Sequence, residues 1–286
     1  MPGNRDAAIA WLLEDKDPIV KYRAQTELLG ECPDKEATIC ALRRLLPNNW
    51  QAIEGLWAVY WLTAIAESGL TLDDLSIDIS QFSSHYNAHS FDMSCADFMR
   101  LRAMARLGID IPQPMLDDMR QNQLPDGGFL CLHRLKKLSY TPKSCVKANM
   151  HALMFVAECK KRGFLPETAD ALLSYFWNHK LFYRSDRPDE LILQARAGWR
   201  TIDTFFPFEV MRVGLQNIIE ALSALGYGED ALLAHARQLL DARKTQDGAY
   251  ILDGTLQKSY LPKERRGKPS KWVTLYALLA EKHSGI

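Results

Sequence analysis

An excess of charge of either sign is absent from this chain: thirty-five basic residues stand against thirty-five acidic ones. No global field draws it to nucleic acid or to an anionic membrane, so no nucleic-acid partner is expected. Paired-cysteine spacing is absent too. The six cysteines, at positions 32, 40, 95, 131, 145 and 159, include no Cys-x-x-Cys. That reads as reduced thiols in a cytoplasmic setting rather than a disulfide framework. No apolar run approaches the ~20 residues of a bilayer span. Ala7–Leu13 is apolar but short and is closed by Glu14 and Asp15, and Met1–Asp6 holds no charged leader ahead of a long apolar run. Neither a membrane span nor a signal peptide is expected. There is no Ser/Gly-rich linker or low-complexity tract, and strand-like alternation is hard to find. Residues 1–286 read as one domain.

Helical periodicity and a repeated turn fill the space these absences leave. Gln123-Leu-Pro-Asp-Gly-Gly-Phe129 follows a helical stretch, and Lys244-Thr-Gln-Asp-Gly-Ala-Tyr250 follows another. Each combines a long polar side chain, an Asp-Gly turn that tolerates positive φ, and an aromatic ring that can fold back onto the preceding helix. Such a recurrence predicts stacked helical repeats. Periodicity and end signals predict about eleven helices. Among them are Pro18–Leu29, Trp50–Glu67 with Trp50, Ile53, Trp57, Trp61 and Ile65 on one face, Lys143–Arg162, Pro207–Leu225, and Ser270–Glu281. The stretches 70–91, 180–206 and 250–269 are longer than ordinary connections and mark candidate functional loops or lids.

The repeated Gln-x-x-Asp-Gly-Gly-Phe resembles the QW motif of squalene and terpene cyclases and the glycine-aromatic turns of protein prenyltransferase β subunits. Gly267-Lys-Pro-Ser-Lys-Trp-Val-Thr-Leu275, Leu181-Phe-Tyr-Arg184 and Phe206-Pro-Phe208 look like segments of a bacterial prenyltransferase- or squalene-cyclase-like group without an established activity. The resemblance covers roughly residues 88–281, and the pair of helices within residues 1–30, carrying Asp17-Pro-Ile-Val-Lys-Tyr-Arg23, resembles a HEAT-type unit. It implies an all-α fold, an α/α toroid or an incomplete ring of helical hairpins around an apolar cavity. Binding of an apolar, isoprenoid-like small molecule in that cavity is the function it implies. Two other readings stand beside it: a non-catalytic helical scaffold for a protein partner, and a zinc-dependent transferase. The oligomeric state is left open.

The catalytic signatures of these families are missing. No Asp-x-Asp-Asp proton donor occurs, and Asp73-Asp74 and Asp117-Asp118 both fail the Asp-Asp-x-x-Asp pattern that holds magnesium. Zinc as a cofactor would draw on Asp92, Cys95, Cys131, His133, Cys145 and His151, with Asp92, Cys95 and His151 the nearest approach to the prenyltransferase set. Trp57, Tyr60, Trp61, Phe129, Trp199, Phe205, Phe206 and Trp272 are the candidate wall of a ligand cavity, although aromatics at helical spacing commonly fill a core. Arg265, Arg266, Lys268 and Lys271 precede a helix start, where backbone amides favour an anion. Asp203, beside Arg200, and Glu209 are the candidate acid–base groups, whereas Asp126 and Asp247 belong to the turn itself.

Overall fold

The computed structural model describes residues 3–78, 91–132, 143–192 and 200–285. Among them are eleven α-helices. These are α1 (Gly3–Leu12), α2 (Pro18–Arg23), α3 (Glu36–Leu45), α4 (Leu56–Glu67), α5 (Cys95–Arg106) and α6 (Gln113–Asn122), then α7 (Val146–Lys161), α8 (Ala169–Asn178), α9 (Leu215–Leu222), α10 (Leu233–Asp241) and α11 (Lys271–His283). Two short strands, β1 (Tyr250–Ile251) and β2 (Pro269–Ser270), pair antiparallel. No helix is long and apolar enough to cross a membrane among the described residues.

Local chemistry sets several helix starts. Asp17 accepts from the amides of Ile19 and Val20, both at 3.2 Å, with Pro18 in the first turn where its missing N–H costs nothing. Ser94 and Asp97 form a reciprocal capping box on α5. Two expected helices are shorter than their periodicity. The 50–67 stretch makes one 3-10 turn at Trp50–Ala52 and becomes α-helical only at Leu56, after Gly55 at φ 67°, so Trp50 and Ile53 do not share a helical face with Trp57 and Trp61. The 207–225 stretch begins its helix at Leu215; Pro207 cannot donate a backbone bond, and the aromatic segment around it packs inward instead.

The two turn repeats are equivalent in detail. In the first, Leu124 N–H donates to Gly128 O at 2.9 Å; in the second, Thr245 N–H donates to Ala249 O at 2.7 Å. The amide of the aromatic residue then reaches the fourth residue of the next buried helix. Phe129 N–H donates to Asn149 Oδ1 of α7 at 2.7 Å, and Tyr250 N–H donates to Thr274 Oγ1 of α11 at 2.8 Å. Each turn thus docks onto the helix that follows, and Tyr250 also touches Asp241 of the helix before it. At Gly127, φ is +85° and a side chain would collide with the carbonyl of Ala171, so glycine is required twice over.

Buried apolar side chains from Ala8 to Ala280 form one contiguous core. Buried helices carry it: α4 packs on α5, α5 on α7, α7 on α9 and α9 on α11, while α11 meets α1 and the α2 segment. The others lie outside, α3 on α2, α8 on α7 and α10 on α9. The C-terminal ends of α2, α4, α5, α7, α9 and α11 meet in a charged cluster. Arg23 and Arg102 donate to the two oxygens of Glu67 at 2.7 and 2.6 Å. Arg106 bridges Glu27 and Glu158, Lys161 reaches Glu220 at 2.7 Å, and His283 approaches the same Glu220 at 3.3 Å. Tyr276 donates to Glu67. Arg23, Arg102, Arg106 and Lys161 therefore face Glu27, Glu67, Glu158 and Glu220, so the cluster is neutral before His283 is counted. Cations at these ends also complement the helix dipoles.

Candidate functional site

The ion cluster occupies one end of the buried helices. The opposite end, where these helices begin, carries groups whose hydrogen-bonding capacity is not used up. The first turns of α7 bring Lys147, Met150 and His151 against Arg200, Thr201, Met211, Arg212 and Val213, and together they line a small pocket. Its volume of about 10 Å³ admits one water-sized group. Three polar atoms of this lining are buried and lack a hydrogen-bond partner: His151 Nδ1, Thr201 Oγ1 and Arg212 Nε.

His151 is fully buried on α7. Its Nε2 lies 3.1 Å from the carbonyl oxygen of Glu209, which can only accept, so Nε2 carries the hydrogen and Nδ1 is a bare lone pair. Burial, helped by the nearby Arg102 charge, pushes its pKa down to about 4. It is a neutral imidazole near pH 7, suited to accept a hydrogen bond.

Glu209 and Asp203 gather at the same end. Glu209 receives the amide of Met211 at 3.2 Å and meets the Tyr60 hydroxyl; burial raises its carboxyl above the usual range. The Tyr60 phenol is pushed up to about 12 by burial and by the Glu209 charge, and its ring stacks on Tyr260 at 5.1 Å. Asp203 sits among Arg200, Arg212 and Arg243 at 3.5, 3.2 and 3.8 Å, yet burial still raises its pKa. Arg212 lies 4.2 Å over the Phe205 ring, and burial lowers its pKa. Lys147, Arg200 and Arg212 give this lining three cationic side chains, the two arginines paired with Asp203.

The other sequence candidates are placed differently. Phe129, Phe206 and Trp272 are fully buried; Phe206 stacks on Trp272 with centroids 4.5 Å apart, and Phe129 packs on Phe98. Phe206 meets α11, Phe208 meets Arg102 of α5 and His151 of α7, and Tyr260 meets Tyr60 of α4. The aromatic residues of the long loops therefore pack against one another and against four of the buried helices. Trp57 is exposed and leans on the half-buried Trp61, and Leu56 and Met211 are exposed as well. Trp199 and His133 lie outside the described residues.

At the start of α11 the anion is already part of the chain. Glu264 accepts from Lys271 N–H at 2.6 Å and from the Ser270 hydroxyl, while Lys271 Nζ donates to Trp11 O at 2.7 Å. Lys271 and that helix start are thereby engaged, which corrects the expectation of an open anion site there. Arg265, Arg266 and Lys268 are exposed, and Arg266 adds positive potential at Arg212.

For zinc, the Asp92 N–H donates to the Asp97 carboxylate at 3.1 Å and its carbonyl accepts from Leu132 N–H, and the Cys95 thiol contacts Cys145. No group of three or more His, Cys, Asp or Glu residues able to hold a metal occurs among the described residues. Asp92, Cys95 and His151 therefore do not assemble the set that the transferase resemblance implies. Lys147, Thr201 and Arg212 were not marked by any sequence spacing; only the length of the 180–206 loop pointed toward this region. No family model, curated protein or solved structure matches the chain.

Proposed function

We propose that this chain is a ring of helical hairpins, an α/α toroid in the manner of the prenyltransferase and terpene-cyclase architectures, that binds an amphipathic small molecule at the His151 end without the chemistry of those families. The ring reading is supported by the order of packing and by the ion pairs that join Arg23 of α2 to α4 and Glu27, just beyond α2, to α5. The single observation that carries the binding reading is the convergence of three unpartnered buried polar atoms on a pocket walled by three cations. Orphaned buried donors cost about 1–3 kcal/mol each, so a bound anion that accepts from Arg212 Nε and Thr201 Oγ1 gains that amount back, while the His151 Nδ1 lone pair takes a hydroxyl or acid O–H of the same ligand. The ligand's anionic head belongs between Arg200, Arg212 and Lys147. Its isoprenoid-like apolar part belongs against Met211 of the lining and the exposed apolar side chains Leu56 and Trp57. The closed volume requires the lining to open on binding.

A titration with a prenyl phosphate and with a fatty acid of similar length, followed by tryptophan fluorescence, tests this. Saturable binding that weakens roughly tenfold or more in Arg212→Met supports the reading. No response to either probe sinks it.

A scaffold for a protein partner is the second reading, and the centre packed by Phe206, Phe208 and Tyr260 favours it. A protein captured through the exposed Leu56–Trp57 edge, with no small-molecule response, is its signature.

A further inference from the structure

Three of the six cysteines, distant in the chain, come together at the starts of two adjacent buried helices. Cys95 is the first residue of α5 and Cys145 immediately precedes α7, and these two helices pack side by side. The segment between them is drawn into the same place: Cys145 N–H donates to Phe129 O at 2.8 Å and Leu132 N–H donates to Asp92 O at 2.9 Å, which sets Cys131 beside the pair. The Cys95 and Cys145 side chains are in hydrogen-bonding contact, and both residues are half-buried rather than sealed. Of the remaining cysteines, Cys32 is exposed, Cys40 points its thiol at Glu36 3.4 Å away, and Cys159 is buried in α7.

We propose that Cys95 and Cys145 are a redox modification site that closes to a disulfide and staples the start of α5 to the start of α7. Two features of the geometry carry this. The two thiols are already in hydrogen-bonding contact across the adjacent starts of α5 and α7. Both residues also stand at helix N-termini, and the Lys147 charge works against the neighbouring thiols and the burial that hold the Cys95 proton on. When one thiol has lost its proton, the remaining S–H donates to it, and that second proton is held far above the usual thiol range; burial adds to the effect at Cys95.

The oxidant is a low-molecular-weight disulfide. The first protein thiolate attacks one of its sulfurs, breaks the S–S bond and releases one small thiolate. The second protein thiol, losing its proton to solvent, then attacks the mixed disulfide and releases the other. Two protein thiols are oxidised to one disulfide, and one small disulfide is reduced to two thiols. Lys147 lines the His151 pocket, so the staple forms at the same end of the helices.

The test is to incubate the full native chain with glutathione disulfide, block remaining thiols, and map linked peptides without reduction. The expected result is an intact mass lower by two hydrogens, a peptide linking Cys95 to Cys145, and reversal by dithiothreitol. Cys145→Ser loses the linked peptide yet still forms a glutathione adduct at Cys32, which shows that oxidant was present and active. The wild-type map decides the matter even if a serine variant folds poorly. Full alkylation of Cys95 and Cys145 under conditions that modify Cys32 overturns the proposal, as does a bridge confined to any other pair.

Discussion

Arg102 of α5 donates to Glu67 at the last turn of α4 across 2.6 Å, and both side chains are essentially excluded from solvent. Neither charge has water to fall back on, so each depends on the other. The other oxygen of Glu67 takes Arg23 from α2, which makes this carboxylate the point where three helices are joined.

Glu67→Ala should therefore cost about 3–5 kcal/mol, because it leaves Arg23 and Arg102 as buried, partly uncompensated cations. Urea denaturation monitored by circular dichroism measures it. A loss below 1 kcal/mol would mean that water replaces the carboxylate and that this end of the helices is open.

Acid should act through the same carboxylate. Its neighbouring arginines hold the Glu67 pKa down at about 2, and Glu27 and Glu220 are held lower still. For a carboxylate with a depressed folded pKa, the stabilisation is full above the ordinary value near 4.5 and is lost as pH falls through the folded value. Stability should decline between pH 4.5 and 2, and Glu67→Gln should flatten part of that decline.

Between pH 4 and 7 two groups oppose one another. His151 is lowered from 6.5 to about 4, so the unfolded chain binds the proton first and stability rises with pH across that window. Glu264 is raised by burial from 4.5 to about 7, so the folded chain holds the proton longer and stability falls as pH rises across nearly the same range. Each shift corresponds to about 3 kcal/mol, and they largely cancel. Asp17, Asp203 and Glu209, also raised by burial, tilt the balance in the direction of Glu264. His151→Gln should unmask a fall in stability from pH 4.5 to 7, and Glu264→Gln should unmask a rise from pH 4 to 6.5. Thermal melts at half-unit pH intervals would show both slopes; parallel curves for the two variants would refute the cancellation.

Gly127→Ala and Gly163→Ala separate two costs. Both positions have φ near +85°, but only at Gly127 does a side chain meet another backbone, at Ala171. Gly163→Ala should lose about 1 kcal/mol and Gly127→Ala about 3 kcal/mol or more. Equal losses would place the turn after α6 too far from α8 for a contact with Ala171.

The two basic regions should divide cleanly in ligand binding. Gln at Arg265 and Lys268 together should leave the affinity for a prenyl phosphate within about twofold, since both lie exposed, whereas Arg212→Met removes a buried donor. The reverse order would move the anion site to the 264–268 loop.

Much of the helical architecture was legible because it is written locally. The Asp17-Pro18 start and the Ser270 cap depend on residues within one turn of each other. The paired turns, from Gln123 and Lys244, likewise owe their shape to consecutive residues, and their recurrence announced repeated hairpins. Periodicity misled where apolar spacing outran backbone chemistry. The spacing from Pro207 continued into α9 although residues 207–214 pack their rings instead of winding.

The sequence by itself determined the balanced charge, the all-α class and the positions of nearly every helix, since each follows from side-chain period and end signals over a few residues. Tertiary structure alone decided what the charged and aromatic residues are for. Arg23, Arg102, Glu67 and Glu158 carry no spacing that distinguishes them from surface charges, and they become a neutral buried cluster only because helix ends far apart in the chain are brought to one place. The same holds for Glu264, which occupies the helix start that Lys271 opens, and for His151, Thr201 and Arg212, whose unmet hydrogen bonds exist only once packing has removed the water around them.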